Sequence, residues 1–132
     1  MGFFSEIFIW WGGNTWGNRW DTWRHGSRVG EDAQGNIYYT QRNGVGPLGV
    51  PRRWVVYKDD ADSSRIPPEW HGWMHHTVDT PPTEQTYRQH AWEKPHRRNM
   101  TGSAQAYRPA GSLLGPGKRA ASASDYEAWK PD

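Results

Sequence analysis

The stretch DAQGNIYYT at residues 32–40 carries the strongest local structural signal in the chain. Its first five residues have the composition of a tight turn, in which Gly35 suits a positive φ. The last four, IYYT, are β-branched and aromatic residues that predict a strand. A second strand is predicted at residues 54–57 (WVVY), and the glycines and prolines of residues 44–51 predict a loop between the two. We therefore expect residues 28–57 to form a small antiparallel meander that needs cover from elsewhere.

The chain that follows the meander changes composition twice. Residues 59–64 form a short acidic loop, and Pro68 then suits the first position of a helical turn that continues to His75. Residues 88–119 contain seven Lys and Arg side chains against one acid, Glu93, and are rich in Gly, Ser and Pro. Such a segment is expected to be extended rather than helical.

Aromatic residues dominate the first 25 positions, which hold half of the ten tryptophans. Five apolar residues among the first eleven share one helical face, and a Gly-Gly pair ends that helix. Asn14 is then expected to cap a second helical segment. An aromatic face of this kind suits lipid headgroups or a partner protein, although the few basic residues predict a weak attraction to anionic lipid. The residues expected to make this lipid or partner contact are Phe4, Phe8, Trp11, Trp16 and Trp20.

Composition limits both the core and the chemistry. Leu, Ile, Val and Phe number 16 of 132 residues, about 12% and well below the ~20% at which an independent core becomes doubtful. The 19 aromatic residues offset part of this shortfall, so we expect the chain to complete its core against a partner. The absence of cysteine excludes disulfides, a thiolate nucleophile and cysteine-ligated zinc or iron–sulfur clusters. The longest apolar run, five residues, is far below the ~20 of a membrane span, and no secretory signal is visible.

Two glycine-containing motifs partly match the sequence patterns of known ligand sites, one for a dinucleotide and one for calcium. The glycines of residues 44–49 match a dinucleotide-binding pattern, but Pro51 and the strand at Trp54 leave no room for the helix that such a site needs. Residues 32–36 resemble the start of a calcium loop, whose twelfth position requires a bidentate Glu. Asn43 occupies that position. Both motifs are interpreted as structural turns, and no cofactor or metal is expected.

Two further patterns suggest rival functions. His71 and His75 have the spacing of a zinc-protease helix and lie near Glu69, so a metal-dependent enzyme stays open as an alternative. Gly72 stands where such a protease carries its catalytic Glu, and aromatic packing is the preferred interpretation. The basic segment contains interleaved aromatic residues, which suits nucleic acid. A net charge of only +2 argues against that alternative, and no nucleic-acid partner is expected.

An ordered set of motifs nevertheless resembles one known family. The most specific of them is IPPEWH at residues 66–71. The set also includes VGED at 29–32, RWVVY at 53–57 and NMTG at 99–102, together with Asp79, Pro81, Pro82, Thr83, Tyr107, Tyr126 and Trp129. In this order they resemble the small tryptophan-rich accessory subunit of respiratory complex I, NADH:ubiquinone oxidoreductase. The resemblance begins near residue 29 and continues to the end of the sequence.

This resemblance implies a noncatalytic subunit with no cofactor and no bound metal. It implies an irregular chain that lies along the peripheral arm near the membrane junction. The implied partners are core subunits that carry iron–sulfur clusters, including the ferredoxin-like one, and a small zinc-carrying accessory subunit. We expect the chain at the inner membrane, on the cytoplasmic face in a bacterium or the matrix face in a mitochondrion, and not as a homo-oligomer. The absence of a presequence favours the bacterial case.

A paralogue in the same family, the assembly factor mimitin, offers the closest alternative function. It shares the turn with the two tyrosines but does not keep the residues at Pro67, Pro68 and His71, so a resident subunit is favoured over a transient assembly factor. The residues expected to bind partners are Trp54, Trp70, His71, Trp73, Trp92, Arg97, Arg98 and Arg108, because Trp and Arg dominate interface energetics.

The predicted fold class is small α+β with much irregular chain. We expect an amphipathic helical segment at residues 1–25, the meander and the Pro-Pro-Glu-Trp-His turn at residues 28–85, and an extended basic arm at residues 86–132 that becomes ordered on a partner.

Overall fold

A computed structural model of the chain describes residues 14–115, 117–122, 124–126 and 128–131. It confirms the predicted α+β class. The chain divides into two compact units, Met1–Asn99 and Met100–Asp132. The helices and strands of the described residues all belong to the first unit. Within the described ranges, each helix is too short and too polar to cross a lipid bilayer.

A three-stranded antiparallel sheet forms the centre of the first unit. Its strands are β1 (Gly26–Glu31), β2 (Ile37–Gln41) and β3 (Arg53–Val56), and they lie in the order β1-β2-β3. The register shifts between Arg28 and Gly30 of β1, which marks an irregularity in that strand. The predicted meander is confirmed, with an additional first strand that starts at Gly26.

The turn between β1 and β2 has the predicted chemistry. The Asp32 carboxylate accepts hydrogen bonds from the backbone N–H groups of Gln34 (2.8 Å) and Asn36 (3.0 Å). Gly35 has a φ of 87°, in the left-handed region that favours glycine. The glycines at residues 44–49 form a turn-rich loop, as expected, and β3 rather than a helix follows them.

Helix α1 spans Trp16–His25 and begins one residue later than the predicted cap implies. Thr15 is the N-cap, because its hydroxyl accepts the Asn18 N–H at 3.3 Å. The expectation that Asn14 caps this helix is wrong. Its side-chain amide instead donates to the Tyr57 carbonyl at 3.2 Å, which connects the start of α1 to the end of β3.

Helix α2 spans Pro68–Met74 and confirms the prediction that Pro68 starts a short helix. A 3-10 turn at Ser63–Arg65 precedes it. The Asp62 carboxylate accepts the Ser64 N–H at 2.9 Å, and this bond holds the pKa of Asp62 below its usual range. The Asp62 side chain therefore caps the 3-10 turn. The fixed φ of the Pro68 ring suits the first position of α2.

The core of the described residues is an aromatic cluster of Tyr38, Trp70 and Trp73, which are 0%, 3% and 3% exposed. The Tyr38 ring stacks on Trp70 with a centroid distance of 3.9 Å and an angle of 4°. Trp73 meets both rings edge-on, at 6.4 Å from Tyr38 and 5.5 Å from Trp70. Helix α2 thus covers the sheet face that carries Tyr38, while α1 covers the opposite face, where Thr22 contacts Trp54.

Arg53 fixes the end of α2 to the sheet. Its guanidinium donates to the carbonyl of Trp73 at 2.6 Å and to that of Val78 at 3.1 Å, and it lies 4.8 Å from the Trp73 ring centroid. It also pairs with Asp79 at 3.2 Å. One largely buried cation therefore connects β3, α2 and the segment that follows.

The second unit consists of turns in the residues that the structure describes, with large apolar side chains in solvent. Tyr107, Leu113, Tyr126 and Trp129 are 89%, 98%, 90% and 82% exposed. These side chains bury little surface within the chain itself.

Candidate partner-binding surface

The four tryptophans expected to bind partners lie in three different environments. Trp70 and Trp73 belong to the aromatic core and are 3% exposed each. Trp54 is half-buried between α1 and the sheet. Trp92 is 77% exposed and is the one that offers most of its surface to another molecule.

Trp54 connects the two layers of the first unit. Its indole N–H donates to the Thr22 hydroxyl of α1 at 3.1 Å. The Tyr39 ring stacks beside it at 6.1 Å, and the Arg52 guanidinium lies 5.7 Å from its ring centroid. Much of this side chain is therefore used inside the chain, and only part of it is accessible to a partner.

Trp92 lies in a groove of about 610 Å³, called here the Trp92 groove. Its apolar walls are Trp92, Tyr87 and three prolines, Pro67, Pro68 and Pro95. The His90 ring stacks on Trp92 with a centroid distance of 5.4 Å and an angle of 5°. This stacking restricts the indole, which lowers the side-chain entropy that binding of a partner would cost.

The polar side of the Trp92 groove carries more acid than base. Glu69 and Glu93 line it together with Lys94 and His96. The Tyr87 hydroxyl donates to Glu93 at 3.4 Å, and partial burial together with the Glu93 carboxylate raises the pKa of Tyr87 above its usual range. An aromatic groove with two carboxylates suits a cationic side chain flanked by apolar residues.

The expected arginines lie in both units. Arg97 is exposed, and Arg98 is 42% exposed with Asp60 3.9 Å from its guanidinium. In the second unit, Arg108 is exposed and donates to the Leu114 carbonyl at 3.1 Å. The bonds of Arg98 and Arg108 join exposed groups, so both guanidiniums keep donors for an acidic partner.

The histidines of α2 lie at the surface. His71 and His75 are exposed, and their ring centroids are 4.3 Å apart. Among the described residues, no cluster of three or more His, Cys, Asp or Glu could hold a metal ion. The two rings therefore form an exposed polar pair beside the core tryptophans.

The turn at residues 32–36, which resembles the start of a calcium loop, has a donor pattern that opposes cation binding. The Asp32 carboxylate accepts four hydrogen bonds, two from backbone N–H groups, one from the Asn36 amide at 2.9 Å and one from the Tyr38 hydroxyl at 2.9 Å. These donors direct protons at the oxygens that a cation would need. Asp32 is a structural residue that holds the turn and the core tyrosine.

The aromatic residues of α1 are exposed along one face. Trp16, Trp20 and Trp23 are 52%, 60% and 70% exposed, and the rings of Trp20 and Trp23 lie 5.2 Å apart. Phe4, Phe8 and Trp11, which were expected to share in this contact, lie outside the described residues. This set of three tryptophans is called here the tryptophan face.

Sequence reasoning missed Tyr87 as a residue that lines the Trp92 groove and His90 as the ring that stacks on Trp92. The aromatic residues that lie close to Trp92 in sequence, in a segment that contains proline, could have indicated that they pack near it. This proximity in sequence did not reveal that Pro67 and Pro68 form the facing wall, because this contact joins residues that are far apart in sequence.

Comparisons with known proteins place the chain in a family. The chain matches the sequence profile described as NADH ubiquinone oxidoreductase subunit NDUFA12 over residues 26–131. It is 38% identical over 97 residues to NADH dehydrogenase (ubiquinone) 1 alpha subcomplex subunit 12 of Bos taurus, covering 65% of this chain and 64% of the relative. The protein of the same name from Dictyostelium discoideum is 38% identical over 93 residues, covering 69% and 65% of the two chains.

A bacterial relative is also similar. An uncharacterised protein of Rickettsia prowazekii is 46% identical over 56 residues, which cover 42% of this chain and 56% of the relative. The chain therefore spans less than two thirds of the length of each of these curated relatives. Since the family profile covers most of the sequence, the chain belongs to the NDUFA12 family of complex I accessory subunits.

Proposed function

We propose that the chain is a noncatalytic accessory subunit of complex I that binds along the peripheral arm near the membrane junction and supports assembly or stability of the enzyme. Family membership supports the choice of complex. The observation that carries the proposal is the imbalance between buried and exposed apolar side chains. In the described residues, three large apolar side chains form the core, whereas five of the tryptophans are more than half exposed.

This imbalance between buried and exposed apolar side chains favours a chain that buries much of its apolar surface against other subunits. Exposed apolar patches of this extent mark protein or membrane interaction sites. Interfaces gain most of their binding energy from a few Trp, Tyr and Arg side chains. The tryptophan face, the Trp92 groove and the second unit provide such residues along the whole described chain.

Each expected contact residue then has a distinct role. Trp92 and the groove that it lines receive a side chain of the host, and Arg97, Arg98 and Arg108 pair with acidic or backbone groups there. Trp70 and Trp73 act through the fold, because they fix α2 and with it the prolines of the Trp92 groove. Trp54 and His71 contribute only the part of their surface that faces solvent.

The proposed hosts are the core peripheral-arm subunits that carry iron–sulfur clusters, including the ferredoxin-like subunit, and a small zinc-carrying accessory subunit. This assignment rests on the resemblance of the motifs at residues 29–32, 53–57 and 66–71 to the family. The chain would lie on the cytoplasmic face of a bacterial inner membrane or on the matrix face of a mitochondrial one.

Deletion of the gene followed by complementation tests the proposal. We expect deletion to lower the amount of assembled complex I on a native gel stained for NADH dehydrogenase activity, and the intact chain to restore it. Trp92→Ala should restore less complex than the control Gln105→Ala, which alters an exposed polar side chain. Because the subunit is noncatalytic, turnover per assembled complex should stay close to that of the wild type.

Two outcomes would contradict the proposal. Normal amounts of fully assembled and stable complex after deletion would exclude a supporting role. Detection of the chain only in smaller, inactive species would favour the mimitin-like assembly factor over a resident subunit.

A further inference from the structure

A smaller cavity of about 240 Å³ adjoins the Trp92 groove. The two cavities share three lining residues, Pro68, Glu69 and Tyr87. The smaller one also contains Val78, which is 44% exposed, and Pro82, and we call it the Val78 pocket. Because the same residues form the boundary between the two cavities, one extended segment of a partner can place side chains in both.

The negative charge of this surface is concentrated in the Trp92 groove. Glu69 and Glu93 line the groove against one lysine, Lys94. In the Val78 pocket, Glu69 is balanced by Arg88. A cationic side chain is therefore favoured in the groove, and an uncharged side chain is favoured in the pocket.

Both carboxylates of the groove can bind a partner. Glu69 is half-buried, and its carboxylate forms no hydrogen bond or ion pair with the residues that the structure describes. Glu93 accepts one bond from the neutral Tyr87 hydroxyl at 3.4 Å, which leaves its charge in place. The His96 ring, which also lines the groove, bonds through Nε2 to the Ser64 carbonyl at 2.9 Å rather than to either carboxylate.

The ring of Trp92 favours arginine over lysine as the cation. His90 stacks on this indole, but it is not among the described residues that line the groove. The surface that Trp92 presents to the groove is therefore not the face that His90 covers. A guanidinium is planar, so it stacks on an aromatic ring and pairs with a carboxylate through two parallel hydrogen bonds, which an ammonium group does not do.

We propose that the Trp92 groove and the Val78 pocket together bind one extended segment of a host subunit, with an arginine side chain in the groove and an apolar side chain in the pocket. Grooves lined by aromatic residues are suited to extended segments, which lose little conformational entropy when they bind. This inference rests on the proposed function and adds the chemistry of the partner segment to it.

Dissociation of the chain from purified complex I tests the charge of the groove. The complex is diluted at fixed ionic strength, and the chain that stays bound is followed over time by quantitative mass spectrometry against a core subunit. Glu69→Gln with Glu93→Gln removes both charges and keeps an acceptor for the Tyr87 hydroxyl. This double variant should dissociate about tenfold faster than the wild type, because a partly desolvated arginine loses its charged partners.

A matched double variant controls for net charge. Glu31→Gln with Glu84→Gln removes the same charge from two exposed carboxylates that line neither cavity, and it should dissociate like the wild type. The pair that Glu31 forms with Arg28 is about half exposed and contributes little to stability. Equal acceleration in the two double variants would overturn the proposal. Amide hydrogen exchange of the bound chain checks that the sheet is unchanged in both.

Lys94→Gln gives a change of the opposite sign. Lys94 lines the groove, so its removal should reduce repulsion of the arginine and slow dissociation by about twofold. A loss of folding could only accelerate dissociation, so slower release separates a charge effect from a structural one. Faster dissociation of Lys94→Gln would contradict the proposed arginine.

Gly72→Ala tests the Val78 pocket. A Cβ at Gly72 would lie 3.4 Å from Val78 Cγ2, so the added methyl group narrows the pocket. The same change favours the helical backbone of α2. The chain should therefore dissociate about threefold faster, although the amides of α2 exchange no faster than in the wild type. Dissociation at the wild-type rate would overturn the assignment of the pocket.

Modification of arginines on the host tests the identity of the occupant. Complex I with the wild-type chain and complex I with Glu69→Gln and Glu93→Gln are treated with p-hydroxyphenylglyoxal, and the modified arginines are mapped by mass spectrometry. One host arginine should be protected in the wild type and modified in the double variant. If no host arginine differs, or if a carbodiimide couples Glu69 or Glu93 to a lysine, the arginine assignment is overturned.

The outcomes for this inference and for the proposed function differ. If the chain is present in equimolar amount in active complex I and the groove double variant dissociates like the wild type, the inference is overturned and the proposed function stands. If the chain is absent from complex I, the proposed function is overturned and the inference with it.

Discussion

Trp92→Ala is the substitution that separates partner binding from folding most clearly. Trp92 is 77% exposed, and its ring stacks on that of His90. A tryptophan side chain offers ~200 Å² of surface, of which roughly 150 Å² is left for a partner. At ~25 cal/mol/Å² this area corresponds to an upper limit of roughly 4 kcal/mol of binding free energy.

The measured loss should be smaller than this limit, because association and side-chain ordering have their own costs. We expect a loss of at least ~2 kcal/mol, typical of an interface hot spot and equal to about a thirtyfold weaker attachment. Trp92→Phe should lose less, because a ring that can stack on His90 is retained.

The assay is retention of the chain on purified complex I after a series of salt washes, followed by quantitative mass spectrometry against a core subunit. Amide hydrogen exchange of the sheet should be unchanged in Trp92→Ala, which would show that the fold is intact. Wild-type retention of Trp92→Ala under the most stringent wash would refute the reasoning, since it would show that the exposed indole is not at an interface.

Three further substitutions test the fold that presents this surface, each by amide hydrogen exchange of the complex-bound chain. Trp70→Ala should destabilise the sheet by about 3–5 kcal/mol, because it removes the ring that stacks on Tyr38; unchanged exchange would contradict the aromatic core. Gly35→Ala should cost about 1–3 kcal/mol, because an added Cβ would lie 2.7 Å from Lys58 Cδ in a backbone with a φ of 87°; a neutral effect would contradict this geometry of the turn. Tyr38→Phe should cost about 1.5–3 kcal/mol at neutral pH, through loss of the bond to Asp32, and a wild-type value would show that this bond is not formed.

The same tyrosine predicts an alkaline limit of stability. Burial, followed by the hydrogen bond to Asp32, raises the pKa of Tyr38 well above its ordinary value of about 10. A folded pKa above the unfolded one means that this contribution is fully present below about pH 10 and is lost as the pH rises towards the folded pKa. Hydrogen-exchange protection of the wild type, after correction for intrinsic exchange rates, should therefore fall more steeply above pH 10 than that of Tyr38→Phe. Parallel profiles would contradict the burial of the phenol.

Local signals predicted the elements of this fold well. The turn at residues 32–36, the strand that follows it and the helix that starts at Pro68 each depend on residues close together in sequence. The cap of α1 was mispredicted because Asn14 has a distant partner, the Tyr57 carbonyl, which no local pattern reveals. Thr15 serves as the cap instead, because its hydroxyl accepts the N–H of Asn18 in the first turn of α1.

The surface was harder to predict than the elements. Trp70 and Trp92 are equally apolar, and the sequence gives no periodicity that separates a buried indole from an exposed one. Their difference arises from tertiary packing, because Tyr38 offers a ring to Trp70 while Trp92 lies in a segment without a regular element.

The stoichiometry of the chain in purified, active complex I tests the central claim most directly. Membranes are solubilised mildly, the complex is separated on a native gel, and the band that stains for NADH dehydrogenase activity is analysed by quantitative mass spectrometry. The account predicts that the chain is present in equimolar amount with the core peripheral-arm subunits. Absence of the chain from the active band, with recovery elsewhere in the gel, would contradict it.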